Sequence, residues 1–172
     1  AHCGAGISPR YPAVELLTGL LFAGLGWRLG PQPAALLWCG VAAALVALSA
    51  IDWDTTLLPD ALTQPLLWAG LIAAALGWTL PLPGALGGAL AGYLSLWSVY
   101  WLFKLTTGKE GMGHGDFKLL AALGAWLGWQ AILPIVLMAS IIGALVGIAL
   151  KLSGGLREGR YVPFGPFLAG GG

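Results

Sequence analysis

The stretch Gly111–Trp129, GMGHGDFKLLAALGAWLGW, sets three alternating glycines and one carboxylate, Asp116, directly against an apolar run of the kind that crosses a bilayer. The rest of the chain has the same character. It is 58% hydrophobic and 9% charged, with a mean hydropathy of +0.85, whereas a soluble domain carries about a quarter charged residues. Several apolar runs approach the roughly 17 to 25 residues that a spanning helix needs. The expected fold is therefore all-α, a polytopic transmembrane helical bundle.

Working outward from Gly111, spans are expected at Ala13–Leu29, Ala34–Ile51, Ala61–Leu80, Leu82–Phe103, Phe117–Leu133 and Pro134–Leu150, with the start of a seventh from Tyr161. Residues 1–12 are expected to be the remnant of an N-terminal cytoplasmic segment. Residues 13–172 are expected to form the membrane domain, truncated at its C-terminus, and the chain is expected to be a fragment lacking both ends. Gly and Pro pairs in GPQP (Gly30–Pro33) and PLPG (Pro81–Gly84) break helices into hairpins. Small-xxx-small spacings in GALGGALAGY (Gly84–Tyr93) and GALVGIAL (Gly143–Leu150) predict close helix packing. Trp27, Trp78 and Trp129 stand where an outer interface belt belongs.

Parity then places Arg10, Lys104, Lys109, Lys118, Lys151, Arg157 and Arg160 on one side and Arg28 alone on the other. By the positive-inside tendency the crowded side is cytoplasmic. The net charge of +1 and the scattered basic residues give no reason to expect nucleic acid as a partner.

Acidic groups near a membrane are costly and therefore candidates for function, and the chain has seven. Asp60 follows Pro59 and precedes an apolar run, so it is expected to cap the next helix. Asp54, beside Thr55 and Thr56, suits a turn. Lys109 and Lys118 flank the glycine motif, as lipid-headgroup neighbours or as supports of the loop. Asp52 and Asp116 are different. Asp116 begins its span, where a helix N-terminus favours an anion, but Asp52 ends its span, where the macrodipole disfavours one. The same parity puts both on the cytoplasmic face.

Two carboxylates that approach each other share a proton, because like charges a few ångströms apart do not both ionise cheaply. That arrangement suits an aspartyl protease, with no metal or nucleophilic side chain needed. A dinucleotide loop does not fit GMGHGD, which is not GxGxxG and follows nothing strand-like. A metal site on His114 and the aspartates is a poor zinc signature. A transporter or channel subunit using the same acids as proton relays is the alternative, as is a purely structural subunit. Cys3 is either a lone thiol or the last member of a CxxC pair, and Cys39 lies within a span, so no disulfide is implied.

The stretches ISPRYPAVELLTG, IDWDTTLLPDALTQPLLW, KLTTGKEGMGHGDFKLLAALGAWLGW and VPFGPFLAG together resemble the bacterial prepilin peptidases, or type IV leader peptidases, of the GxGD aspartyl protease type. The resemblance implies that Asp116, the GxGD aspartate, and Asp52, seven residues before the Pro of LPD, are the catalytic pair. Gly111, Gly113, Gly115, Asp54, Asp60 and Lys118 then form the supporting loops. It further implies cleavage of leader peptides from type IV prepilins or type II secretion pseudopilins, at the cytoplasmic side of the inner membrane. S-adenosylmethionine, for N-methylation of the new terminus, and zinc are cofactors that it implies for the full-length protein, with Cys3 matching the final cysteine of a zinc site. No residue here matches the methyltransferase site.

Overall fold

The computed structural model describes residues 8–108, 112–153 and 163–172. Among the described residues there is no strand, and seven helices follow one another: α1 Arg10–Leu29, α2 Pro33–Thr55, α3 Asp60–Ala75, α4 Leu82–Thr107, α5 His114–Leu127, α6 Trp129–Leu152 and α7 Gly165–Gly171. The all-α expectation holds. Three helices, α2, α4 and α6, are long and apolar enough to cross a membrane.

The chain divides into two compact units, Ala1–Val46 and Ala47–Gly172, and the division falls inside α2. In the first unit, none of the side chains of α1 is buried, and the Thr18 hydroxyl donates back to the Val14 carbonyl at 2.8 Å. This is the usual way for a mid-helix threonine to satisfy its polar atom in apolar surroundings.

In the second unit α5 is the central element. Its buried residues run without a break from Leu119 to Trp126, as expected of a helix that is apolar on all sides and packed on all sides. Its 14 residues extend about 21 Å at 1.5 Å per residue, short of a hydrocarbon core of about 30 Å. Helices α3, α4, α6 and α7 all pack against it.

Lipid tails are as apolar as leucine, so burial alone does little to drive helices together in a membrane, and close packing must do it. On α4, a Cβ at Gly92 would stand 2.5 Å from the Leu120 carbonyl oxygen of α5, and one at Gly88 would collide with the Gly124 carbonyl. These glycines let the two backbones touch, as their spacing predicts. Opposite, the Trp126 indole N–H donates to the Leu66 carbonyl of α3 at 2.9 Å. The same indole fills the space that a side chain at Gly70 would need. The Trp126 ring therefore has its polar atom satisfied inside the core.

Several boundaries differ from those expected. The third helix ends at Ala75, not Leu80. The fifth and sixth divide at Gly128, not between Leu133 and Pro134. Gly128 takes φ 84°, a left-handed backbone that glycine adopts without steric cost. Pro134 lies within α6, where it removes one helical N–H without ending the helix. At the second helix the apolar run stops at Ile51, but the helix continues to Thr55. Trp27, Trp78 and Trp129 are all exposed. Tyr161, the expected start of the seventh span, lies outside the described residues, and α7 begins at Gly165.

Candidate active site

Asp52 occupies the last turn of α2 and is only 4% exposed. The helix ends three residues later because Thr56 adopts φ 54°, a left-handed backbone rarely taken by a β-branched residue. Two bonds hold that turn. The Thr56 N–H donates to the Asp52 carbonyl at 2.7 Å, and the Thr55 hydroxyl donates to the Ile51 carbonyl at 2.8 Å. The side chain of Asp52 has a partner from far along the chain. The Gly165 backbone N–H donates to its Oδ2 at 3.0 Å. That bond offsets part of the electrostatic cost of an anion at a helix C-terminus.

Asp116 lies in the first turn of α5 and is 7% exposed. It stands just before the apolar segment that starts at Phe117, which is fully buried. Burial, and after it the charge of Asp52, pushes the Asp116 carboxyl up to about 7. The two acids that sequence parity assigned to one face are thus brought within electrostatic reach of each other.

Leu58 packs against two glycines, one beside Asp116 in sequence and one bonded to Asp52. A Cβ on Gly115 would lie 2.7 Å from the Leu58 Cβ, and a Cβ on Gly165 would lie 3.2 Å from the Leu58 Cδ1 and 2.6 Å from the Asp52 Oδ2. The segment that carries Asp116 and the one that carries Gly165 both approach this leucine through a residue with no side chain. Pro59, in extended conformation, then turns the chain into α3.

The supporting residues have more varied placements. Asp60 does not cap α3: the cap position belongs to Pro59, no side-chain cap bond forms, and Asp60 is the first helical residue. Its carboxylate instead takes both oxygens to Lys118 Nζ, at 2.6 Å and 2.7 Å. Lys118 therefore links the beginning of α5 to the first turn of α3. Asp54 is in the last turn of α2 and exposed, not in an open loop. Gly113 precedes α5, and its carbonyl accepts the Asp116 N–H at 3.3 Å. Gly111, Lys109 and Cys3 lie outside the described residues. Among the described residues no three His, Cys, Asp or Glu side chains form a group that could hold a metal. His114 packs instead on the Tyr100 ring, with centroids 5.1 Å apart.

Two residues of this site were not identified as such in the sequence. Gly165 lies in VPFGPFLAG and Leu58 in LPD, both within stretches that carry the family resemblance. Their sequence signal was a glycine between Phe and Pro and a leucine before Pro. Neither pattern tells which carboxylate the residue will meet.

Short and long apolar helices packed around a buried aspartate pair define an α-helical membrane protein with an acid-pair site. The profile of the type IV leader peptidase family matches residues 39–148, well over half of the chain, and the chain belongs to that family. It is 56% identical to a prepilin leader peptidase/N-methyltransferase of Aeromonas salmonicida over 97% of this chain and 57% of that protein. The correspondingly named proteins of Burkholderia pseudomallei and Pseudomonas aeruginosa are 54% and 51% identical, over 99% and 98% of this chain. The chain spans 55–58% of the length of these relatives. No solved structure matches it.

Proposed function

We propose that this chain forms the acid-pair domain of a membrane-embedded aspartyl endopeptidase. The enzyme removes the leader peptide from type IV prepilins, or from the related pseudopilins of type II secretion, at the cytoplasmic face of the bacterial inner membrane. The observation that carries the reading is the burial of Asp52 and Asp116 with the charge of one acting on the other. Membership of the leader peptidase family and the names of its relatives support the same reading.

In this mechanism a water lies between the carboxyls and a substrate peptide carbonyl. The ionised aspartate takes a proton from the water as its oxygen bonds to the carbonyl carbon, and the protonated aspartate donates to the carbonyl oxygen. Collapse of the tetrahedral intermediate breaks the C–N bond. The proton gained from water passes to the leaving amine, and the intermediate's hydroxyl proton returns to the acid that gave it. The net change is one water added across one amide. Low exposure strengthens each of these charge interactions.

Methylation of the new amino terminus belongs to the proposal for the whole protein, since the relatives' names include N-methyltransferase. That activity requires S-adenosylmethionine, to which no residue of this chain is assigned. The aspartates stand at helix ends, Asp52 in the last turn of α2 and Asp116 in the first turn of α5, which suits a substrate arriving from one side better than a mid-membrane proton relay.

The test is cleavage of a prepilin-like peptide by detergent-solubilised protein. Asp52→Asn and Asp116→Asn should each lower the rate by about 10²- to 10⁴-fold, the range of a lost general acid or base. Full cleavage by both variants would end the reading.

A further inference from the structure

The carboxyls of Asp52 and Asp116 are chemically alike, yet one must begin the reaction ionised and the other protonated. Their surroundings are unequal. Asp52 Oδ2 accepts a backbone N–H from Gly165 at 3.0 Å, buried and from 113 positions along the chain. Among the described residues the Asp116 side chain receives no corresponding bond. A backbone N–H can only donate, so it favours a carboxylate over a carboxyl whose proton points the same way.

We propose that Gly165 is a positioning residue for the acid pair: its backbone N–H, presented with no side chain in the way, makes Asp52 the ionised partner that takes the water proton and leaves Asp116 as the proton donor. This rests on the pair's being catalytic, and it adds a division of labour which the pair alone does not supply. Gly165 lies outside residues 39–148, the stretch that carries the family match.

The absence of a side chain is part of the device. A Cβ at Gly165 would stand 2.6 Å from Asp52 Oδ2 and 3.2 Å from Leu58 Cδ1. The first contact is far inside van der Waals range. A methyl group there must push the carboxylate off its donor, while the second contact can be relieved at a flexible leucine tip. The other ionisable groups on the packed elements are Asp54 in the same turn of α2, the mutually bound Asp60 and Lys118, Tyr93 and the Lys104–Tyr100 pair on α4, exposed His114, and Lys151 in the last turn of α6. None of them has a hydrogen bond to the Asp52 carboxylate among the described residues.

The experiment compares Gly165→Ala, Leu58→Ala and the double variant with the parent protein. Thermal unfolding is measured together with kcat, KM and the pH profile of peptide cleavage. The double variant relieves the collision with Leu58 but keeps the one with Asp52, so it reports even where Gly165→Ala does not fold. The expected result is a folded double variant whose kcat falls roughly 10- to 100-fold, the loss of one hydrogen bond to a charged group, at unchanged KM. The acidic limb of its profile moves to higher pH, because the carboxylate has lost its donor. If the double variant instead regains the kcat and acidic limb of Leu58→Ala alone, Gly165 serves packing only and the proposal is overturned. Asp52→Asn and Asp116→Asn are assayed in parallel. Inactivity of both with an unmoved Gly165 profile sinks this inference alone, whereas activity of both sinks the reading of the site.

Discussion

Lys118 Nζ stands 2.6 Å from Oδ1 and 2.7 Å from Oδ2 of Asp60, so the beginning of α5, two residues past Asp116, is tied to the first turn of α3. Asp60 is 62% exposed and Lys118 30%. Water and salt screen a pair of that kind, and exposed ion pairs contribute about 0–1 kcal/mol. The bond therefore links α3 to α5 while adding little to the stability of the fold.

Accordingly, Asp60→Ala and Lys118→Ala should each lower stability by no more than about 1 kcal/mol, and the double variant should lose less than the sum. Cleavage should persist in all three. Thermal unfolding with a double-mutant cycle, alongside the peptide assay, checks both. Loss of turnover in a well-folded Asp60→Ala would mean that Asp60, and not Asp52, is the partner of Asp116.

Asp116 supplies a pH dependence whose sign can be worked out. Its carboxyl is raised from 3.8 to about 7 in the folded protein, by burial first and the Asp52 charge second. The folded state therefore holds a proton that the unfolded state has lost between those values. Stability from this group is fully present below 3.8 and is lost as pH rises through about 7. The same deprotonation removes the donor for the carbonyl oxygen, so cleavage should fall about tenfold per pH unit above 7. A pH–rate profile and melting temperatures between pH 5 and 8.5 check this. In Asp116→Asn the fall in melting temperature between pH 5 and 7 should become smaller.

The physical basis of these results was only partly visible in the residue pattern. Apolar runs and Gly/Pro breaks sufficed for an all-helical membrane protein, because a chain with 9% charged residues has too few to cover a water-facing surface throughout. The charge imbalance and span parity sufficed to put Asp52 and Asp116 on one face. Helix ends were less legible. Gly128 ends α5 through a left-handed backbone, while Pro134, the stronger-looking breaker, sits inside α6 where packing outweighs one missing bond. Thr56 ends α2 in a conformation that its residue type disfavours, so propensity gave no warning. Asp60 has the residue type of a cap, but Lys118, 58 positions away, competes for its carboxylate, and pairings at that distance leave no local signal. The same holds for Gly165 and Asp52.

The glycines of α4 permit a sharper test, since two neighbours in GALGGALAGY should respond with opposite sign. A Cβ on Gly87 meets nothing within 4 Å, whereas one on Gly88 would collide with the Gly124 carbonyl of α5. A backbone carbonyl cannot rotate away as a side chain can, so α4 and α5 would have to separate along their whole contact. Gly88→Ala should therefore cost at least about 1–3 kcal/mol, the usual penalty for overpacking. Gly87→Ala should be neutral, or stabilising by up to about 1 kcal/mol, through the better helix propensity of alanine. Unfolding of the two variants in the same detergent reads the difference. Because Asp116 begins the helix that Gly88 supports, Gly88→Ala should also lower peptide cleavage, and Gly87→Ala should not. Equal stability of the two variants would mean that α4 and α5 are not held together by backbone contact at Gly88.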